Sequence, residues 1–363
     1  MSFFLGIDLG ASALKLSLID AHAQYVGGCG IGLETDTPEP GYAEQNPADW
    51  RAALQSGLGQ LHDDFPTEVG ALRAIVFTGG AHIAVLCDSA ATPLRPAIMW
   101  SDQRSAAQAN QLRENPEILQ IGGNLPNPTW TLPQLCWLQV HEPKLMARLA
   151  RVYFAKDWLR AQLTGDRFTD MGEATGAMLG DIRKSIWAKH MLTQAGISET
   201  MMAKLVSPIV KAGITDARAH EFHLPSDVTI YQGTIDTTVE WLCCGVPEAG
   251  KSSIKLASAG VVSKICEGFA PRPPLSIYPH FSAPLHYHAS GMNNCTGALN
   301  WFAQTFAPTL TLDQITQLAA EAPAGADGVL FHPYLLGERA PHWRADLTAS
   351  FAGMTRATTQ SHL

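Results

Sequence analysis

Basic charge is what this chain has least of for its size. Of its 363 residues only 25 are Lys or Arg, against 33 Asp or Glu, and the net charge is −8. No cluster of cations could neutralise a run of phosphates, so nucleic-acid binding is not expected. Long apolar runs are missing too. None reaches the ~18 residues that a membrane-spanning helix needs, so no membrane partner is expected. The opening Met1-Ser2-Phe3-Phe4-Leu5-Gly6-Ile7-Asp8 has no basic segment and meets an acid at once, which argues against a signal peptide. The seven cysteines, at 29, 87, 136, 243, 244, 266 and 295, are odd in number, scattered and never spaced Cys-x-x-Cys. That pattern fits ordinary buried thiols in a reduced, cytoplasmic protein.

Apolar material is plentiful. Hydrophobic residues make up 46% of the chain, and the length suggests roughly two to three domains. Residues 3–7 read as a short buried strand. Leu14, Leu16 and Leu18 alternate with Lys15 and Ser17, which is the period of a strand with one buried face. Between them, Gly10-Ala11-Ser12-Ala13 is small enough for a tight turn. Asn46-Pro47-Ala48-Asp49 opens a helix: Asn46 can cap it, Pro47 suits its first position and Asp49 favours its positive end. Trp50, Leu54, Leu58 and Leu61 follow on one face. Residues 74–77 read as another buried strand, ending at Thr78-Gly79-Gly80. Residues 132–140 and 145–149 read as helices around a break at Pro143. Strands and helices alternate, so the fold class is α/β. Near residue 240 a strand at 228–231 leads through a turn carrying Asp236 into a helix. The boundary is set there, giving domains 1–240 and 241–363.

Asp236 is the acid in the small-residue run Gln232-Gly233-Thr234-Ile235-Asp236-Thr237-Thr238. The run lies between two similar hairpins. The first is Gly6-Ile7-Asp8-Leu9-Gly10-Ala11-Ser12-Ala13-Leu14-Lys15, and the second turns at Leu256-Ala257-Ser258-Ala259-Gly260-Val261. Two hairpins facing one carboxylate suit phosphoryl transfer to a hydroxyl. The hairpins hold the phosphates and a metal, and the carboxylate takes the proton from the attacking oxygen. The loop at Gly10 is not a Walker loop, because a strand rather than a helix follows it.

Further motifs run in order along the chain: Glu44-Gln45-Asn46-Pro47 with Trp50, then Arg95-Pro96-Ala97-Ile98-Met99-Trp100-Ser101-Asp102-Gln103-Arg104. Next come Lys156-Asp157-Trp158-Leu159, Leu163-Thr164-Gly165, the stretch 170–181 and Gly337-Glu338-Arg339-Ala340-Pro341-His342. Together with the Gly6 hairpin, these resemble the FGGY carbohydrate kinases, and the xylulokinases within them, over essentially the whole chain. The resemblance implies ribonuclease-H-like (actin-like ATPase) domains in two lobes, with a sugar and ATP bound in the interlobe cleft, and it leaves a homodimer open. Four departures are visible. Ala257 stands where the family usually has Gly, and Ala is strained at positive φ. Gly80-Ala81-His82-Ile83 keeps only the histidine of the family's substrate loop. Gln134 replaces the usual Lys of a helix signature. The chain stops at Leu363, before the family's glycine-rich adenosine loop. On this reading the second lobe is incomplete, with an apolar face left uncovered.

The resemblance assigns roles, and each has a plainer alternative. Asp236 is the general base, or a helix N-cap, or both. Thr237 beside it is taken as a substrate contact. Asp8 holds Mg2+ through water, or caps its own turn. Gly10, Ser12 and Lys15 form an anion nest, with Lys15 equally a solvated strand residue. Ser258 and Gly260 match them on the other side, or make an ordinary turn. His82, Trp100, Asp102 and Arg104 line the sugar pocket. His82 and Trp100 also suit a core, and Arg104 a structural salt bridge. His280, His286 and His288 lack partners at structural-zinc spacing. Glu338, Arg339 and His342 fix a loop. The expected activity is ATP-dependent transfer to a primary hydroxyl of a pentulose or related polyol, with ATP and Mg2+ as cofactors. The alternative is a truncated, non-catalytic sugar-binding module. An actin-like chaperone or filament ATPase would share the hairpins but would not need Trp100, Asp102 and Arg104.

Overall fold

The computed structural model describes residues 2–214, 216–245, 248–282, 284–344 and 346–363. The chain divides into two compact units: Met1–Pro247 with Gly268–Pro271 and Tyr278–His286, and Glu248–Glu267 with Arg272–Ile277 and Tyr287–Leu363. Among the described residues no helix is long and apolar enough to cross a membrane.

The first unit is built on one mixed sheet. Strand β1 (Phe3–Leu9) pairs antiparallel with β2 (Ala13–Asp20), and β2 pairs antiparallel with β3 (Tyr25–Gly32). On its other side β1 runs parallel to β4 (Leu72–Gly79), which runs parallel to β5 (Thr229–Tyr231). A short strand, Lys211–Ala212, closes that edge, so the order from it is β5-β4-β1-β2-β3. The register sets Ile7 opposite Leu16 and Leu9 opposite Leu14. The alternation read from Leu14, Leu16 and Leu18 therefore puts all three into the core, at 0%, 1% and 0% exposure. Full burial of each such side chain contributes about 1.5–3 kcal/mol.

Helix α1 (Pro47–Asp64) covers this face, its N-terminus capped as the sequence signals, with the Asn46 side chain accepting from Ala48 N–H. Trp50, Leu54, Leu58 and Leu61 are among its buried side chains. Helix α2 (Thr131–His141) belongs to a second cluster with Leu132, Leu135, Leu138, Met178, Leu179 and Met191. The helix expected at 145–149 is instead a single turn, Pro143–Met146. Helix α3 (Ala155–Thr164) packs Trp158, Leu159 and Leu163 into the first core. Helices α4 (Met171–Gly176) and α5 (Asp236–Cys243) complete the part that matters for function.

The second unit opens with the expected hairpin, β6 (Ser252–Leu256) and β7 (Gly260–Glu267), with Leu256 opposite Gly260. Strands β8 (Ser276–Pro279) and β9 (Leu285–Met292) extend the sheet in the order β6-β7-β9-β8. Helix α6 (Thr296–Phe306) and helix α7 (Leu312–Ala319) follow, meeting over Phe302, Ala307 and Ile315. Ile254, Leu256 and Val262 of the hairpin stay exposed, at 68%, 73% and 53%.

Candidate active site

Two strand ends and one turn define the site in the first unit. Asp8 is the Cα partner of Lys15 on β2 and of Thr78 on β4. Directly opposed residues in a sheet share a face, so these three side chains leave the sheet on the side away from Ile7 and Leu9. Asp8 is half-buried, while Ser12 and Lys15 are exposed. The turn between β1 and β2 is tight: Gly10 N–H donates to the Ala13 carbonyl at 3.1 Å, and a Cβ on Gly10 would lie 3.2 Å from that oxygen. Gly79 is more constrained, because its Cβ would stand 2.8 Å from the Leu9 carbonyl oxygen.

The run 232–236 crosses the end of β4. Gly233 has a φ of +69°, and a Cβ there would collide with the Phe77 carbonyl. Only glycine fits both demands. The Thr78 hydroxyl then donates to the Thr234 carbonyl at 2.8 Å, and the Thr234 hydroxyl donates to Asp170 Oδ2 at 2.6 Å. Asp236 follows as the first residue of α5, half-buried rather than enclosed by apolar side chains. A carboxylate there is favoured by the positive end of the helix. Thr237 donates to Asp236 Oδ1 from its amide, at 2.6 Å, and from its hydroxyl, at 3.2 Å. The N-cap alternative for Asp236 is corrected: Ile235 occupies the cap position and offers no side-chain bond.

His82 lies beyond β4 at φ +56°, a region in which histidine is more common than most residues. Its amide donates to Glu173 Oε2 at 2.7 Å, and its carbonyl accepts from the Thr131 hydroxyl at 2.5 Å. The ring packs 5.7 Å from that of Trp130. Burial pushes the imidazole down to about 3, so the ring is neutral at ordinary pH. Trp100 is 42% exposed, and its Cδ1 would touch a Cβ on Gly80 at 3.7 Å. It is an open aromatic surface beside the His82 loop, not a core residue.

Asp102 and Arg104 do not join that loop. Asp102 is fully buried and accepts from Ala43 N–H at 2.6 Å and from the Arg104 backbone and guanidinium at 2.8–3.0 Å. Arg104 also pairs with Glu44 at 2.7 Å and lies 3.9 Å from the Tyr42 ring centroid. Burial opposes its charge, and Asp102 and Glu44 more than restore it. Glu44 in turn binds Arg95. The expectation of sugar contact at Asp102 and Arg104 is therefore corrected: their polar atoms are spent on bracing residues 42–44 against 99–104.

A cluster that no sequence signal assigned to the site lies behind Asp236. Lys156, with no exposed side-chain surface, sits 2.7 Å from Asp157, 3.0 Å from Asp170 and 3.9 Å from Glu173. Burial pulls the ammonium pKa down, but the three carboxylates outweigh it and raise it. Burial, followed by the neighbouring carboxylates, pushes Glu173 well above its usual range despite Lys156. The available signal was the pair of family motifs Lys156-Asp157-Trp158-Leu159 and 170–181, which carried the resemblance without a role for Lys156, Asp170 or Glu173.

In the second unit the turn at Ala257-Ser258-Ala259 docks on α6. The Ser258 carbonyl accepts from Cys295 N–H at 2.8 Å and Gly297 N–H at 3.2 Å, and the Ala257 carbonyl accepts from Thr296 N–H at 3.0 Å. Ala257 does not take a positive φ, so the strain expected from the missing glycine is absent. Gly260 is needed for a different reason: its Cβ would lie 2.9 Å from the Met292 side chain. It lines a cavity of about 350 Å3 with Lys255, Leu256, Tyr334 and Glu338. Glu338 accepts from Asn293 N–H at 2.9 Å and Arg339 N–H at 2.7 Å, and His342 Nε2 lies 3.3 Å from the Tyr334 hydroxyl. Among the described residues no three His, Cys, Asp or Glu side chains cluster as a metal would need.

A sheet of order 3-2-1-4-5 with an antiparallel second strand, followed by a restarted hairpin, defines the ribonuclease-H-like fold of the actin-like ATPases. The comparisons narrow the class. The N-terminal domain model of the FGGY family of carbohydrate kinases matches residues 3–243, and the C-terminal domain model matches residues 266–363. The chain belongs to this family. It is 31% identical over 372 residues to a xylulose kinase of Lactococcus lactis, covering 100% of this chain and 73% of that one. A solved xyloylose kinase from Brucella ovis superposes with a TM-score of 0.93 at 29% identity, covering 99% of this chain and 75% of that one. A ligand-bound xylulose kinase from Lactobacillus acidophilus gives 0.95 at 22% identity, covering 100% and 74%, a likeness of fold.

Proposed function

We propose that this chain is an ATP-dependent kinase that phosphorylates a primary hydroxyl of a pentulose of the xylulose kind. The xylulose kinases among its relatives support the sugar class. The supporting observation in the chain itself is the fixation of Asp236: half-buried, first in its helix, and tied through Thr234 to Thr78, the strand neighbour of Asp8. The Asp236 carboxylate accepts the proton of the sugar hydroxyl as its oxygen bonds to phosphorus. Thr237 keeps one Asp236 oxygen oriented through its amide and its hydroxyl.

The donor set near β1 suits a hard cation and phosphate oxygens. Asp8 offers a carboxylate at a strand end, Gly10 a bare backbone, and Ser12 and Lys15 exposed donors. Asp8 would hold Mg2+ through water, and Gly10, Ser12 and Lys15 would hold phosphate; Ser258 and Gly260 form the comparable phosphate-binding turn of the second unit. When bound, Mg2+ neutralises charge on the transferring phosphoryl group. His82 and Trp100 would contact the sugar, the first with a neutral ring nitrogen and the second with its exposed aromatic face. Residues 1–240 then serve as the sugar-binding domain and 241–363 as nucleotide-binding. Matches to both family domains disfavour the reading as a non-catalytic sugar-binding module.

The test is Asp236→Asn. Phosphorylation of xylulose should fall by about 100- to 10,000-fold while calorimetry still detects sugar binding. Unchanged turnover would refute the assignment, and a panel including gluconate and glycerol would correct the sugar.

A further inference from the structure

We propose that Thr234 and Asp170 are positioning residues for Asp236, with Lys156 as their buried counter-charge; this rests on the reading of Asp236 as the base. Two side chains of the run, Gln232 and Thr234, alternate onto one side and are 1% and 4% exposed. Each is gripped by a carboxylate that shares Lys156. Gln232 Nε2 donates to Asp157 Oδ1 at 2.6 Å, and Thr234 Oγ1 donates to Asp170 Oδ2 at 2.6 Å. Asp170 Oδ2 also accepts from Gly172 N–H at 3.0 Å. A Cβ at Gly172 would lie 2.8 Å from that same Oδ2 and 3.0 Å from the Thr234 hydroxyl, so the clasp is packed as well as bonded. From the other side Thr78 holds the Thr234 carbonyl. Thr234 is thus fixed through both its side chain and its backbone, two residues before Asp236.

Stability alone does not account for such a cluster. Desolvating an ion group of this kind commonly costs as much as its internal attraction returns, and apolar residues of equal volume often do as well. What charge and hydrogen bonds add is direction. A base must meet its proton at hydrogen-bond distance, and a misplacement of about 1 Å is enough to lose roughly 100-fold in rate.

The experiment compares Thr234→Val, which keeps shape and removes the hydroxyl, with Thr234→Ser, which keeps the hydroxyl, alongside Asp236→Asn, all in the full chain. Steady-state kinetics with xylulose and ATP, and thermal melts, are read for each. The expected result is a fall in kcat of about 10- to 100-fold for T234V with the sugar KM moved less than about threefold, and T234S within about threefold of the parent. A merely structural role would lower the melting temperature and leave kcat per folded molecule alone. An inactive D236N beside a T234V with kcat within about twofold of the parent overturns the proposal. A D236N that turns over normally instead overturns the base assignment. If T234V does not fold, Thr78→Val releases the same residue from its other side: a kcat loss of at least about fivefold supports the proposal, and an unchanged kcat overturns it.

Discussion

Two buried charge networks in the first unit look alike in composition and differ in how completely they are satisfied. Around Arg104, the acids Asp102 and Glu44 and the cation Arg95 close on one another, and the Asp102 oxygens are taken by internal donors. Around Lys156, the polar atoms are left partly over: Asp157 Oδ2, Glu173 Oε1 and Gln232 Oε1 accept no hydrogen bond from the described residues. A closed network braces loops. An open one, costly to keep, is explained when its geometry is needed elsewhere, and here it ends at the residue chain leading to Asp236. The difference teaches that residue type and spacing mark a network, while its satisfaction separates a brace from a working part.

The largest effect that would test this contrast is on turnover. Asp236→Asn should lower kcat by about 100- to 10,000-fold, the range of a lost general base, measured by coupled assay. Next come the two cations. Arg104→Met leaves Asp102 buried without its partner and should destabilise the fold by about 3–5 kcal/mol, with the sugar KM of the folded fraction nearly unchanged. Lys156→Met should destabilise comparably but also lower kcat. Denaturant melts with kinetics on the folded fraction separate the two, and equal kinetic behaviour would erase the distinction. Trp100→Ala should raise the sugar KM about tenfold, or ~1.4 kcal/mol, while kcat stays within about twofold; calorimetry with xylulose checks the same loss.

The gentlest effect per unit of change is a pH slope. The unfolded chain carries His82 near 6.5 and the fold holds it near 3, so between those values the unfolded state binds a proton that the fold refuses. Stability must therefore drop as pH falls through that window, by at most ~1.4 kcal/mol per pH unit. Glu173 has the opposite sign: its raised pKa favours the fold below the usual 4.5, and that contribution is lost as pH rises. His82→Asn tolerates the left-handed backbone and should flatten the His82 slope while leaving the Glu173 slope. Melting curves at pH 4 to 7 on both proteins check this.

Local structure was largely legible. The alternation of Leu14, Leu16 and Leu18, the Asn46 cap and the apolar face at Trp50, Leu54, Leu58 and Leu61 are signals carried by adjacent residues, and the structure follows them. The second hairpin was legible as a hairpin, but not in its burial. Ile254, Leu256 and Val262 have the same residue character as the buried leucines of the first, and exposure depends on what covers a strand rather than on the strand. Lys156, Asp157, Asp170 and Glu173 lie in motifs that carried the family resemblance, but their meeting was not legible because the members of the cluster lie at 156, 157, 170, 173 and 232. The Trp-x-Asp-x-Arg pattern fits a sugar pocket and an internal brace equally. The fold divides it, giving Trp100 to the open surface and Asp102 with Arg104 to the brace.

A crystal structure of the protein with xylulose bound would bear most directly on the role of Asp236. The expected result puts the primary hydroxyl oxygen within about 2.6–3.2 Å of an Asp236 carboxylate oxygen, with the Thr234–Asp170 hydrogen bond intact. A sugar whose primary hydroxyl lies far from Asp236 and bonds another acid would contradict it.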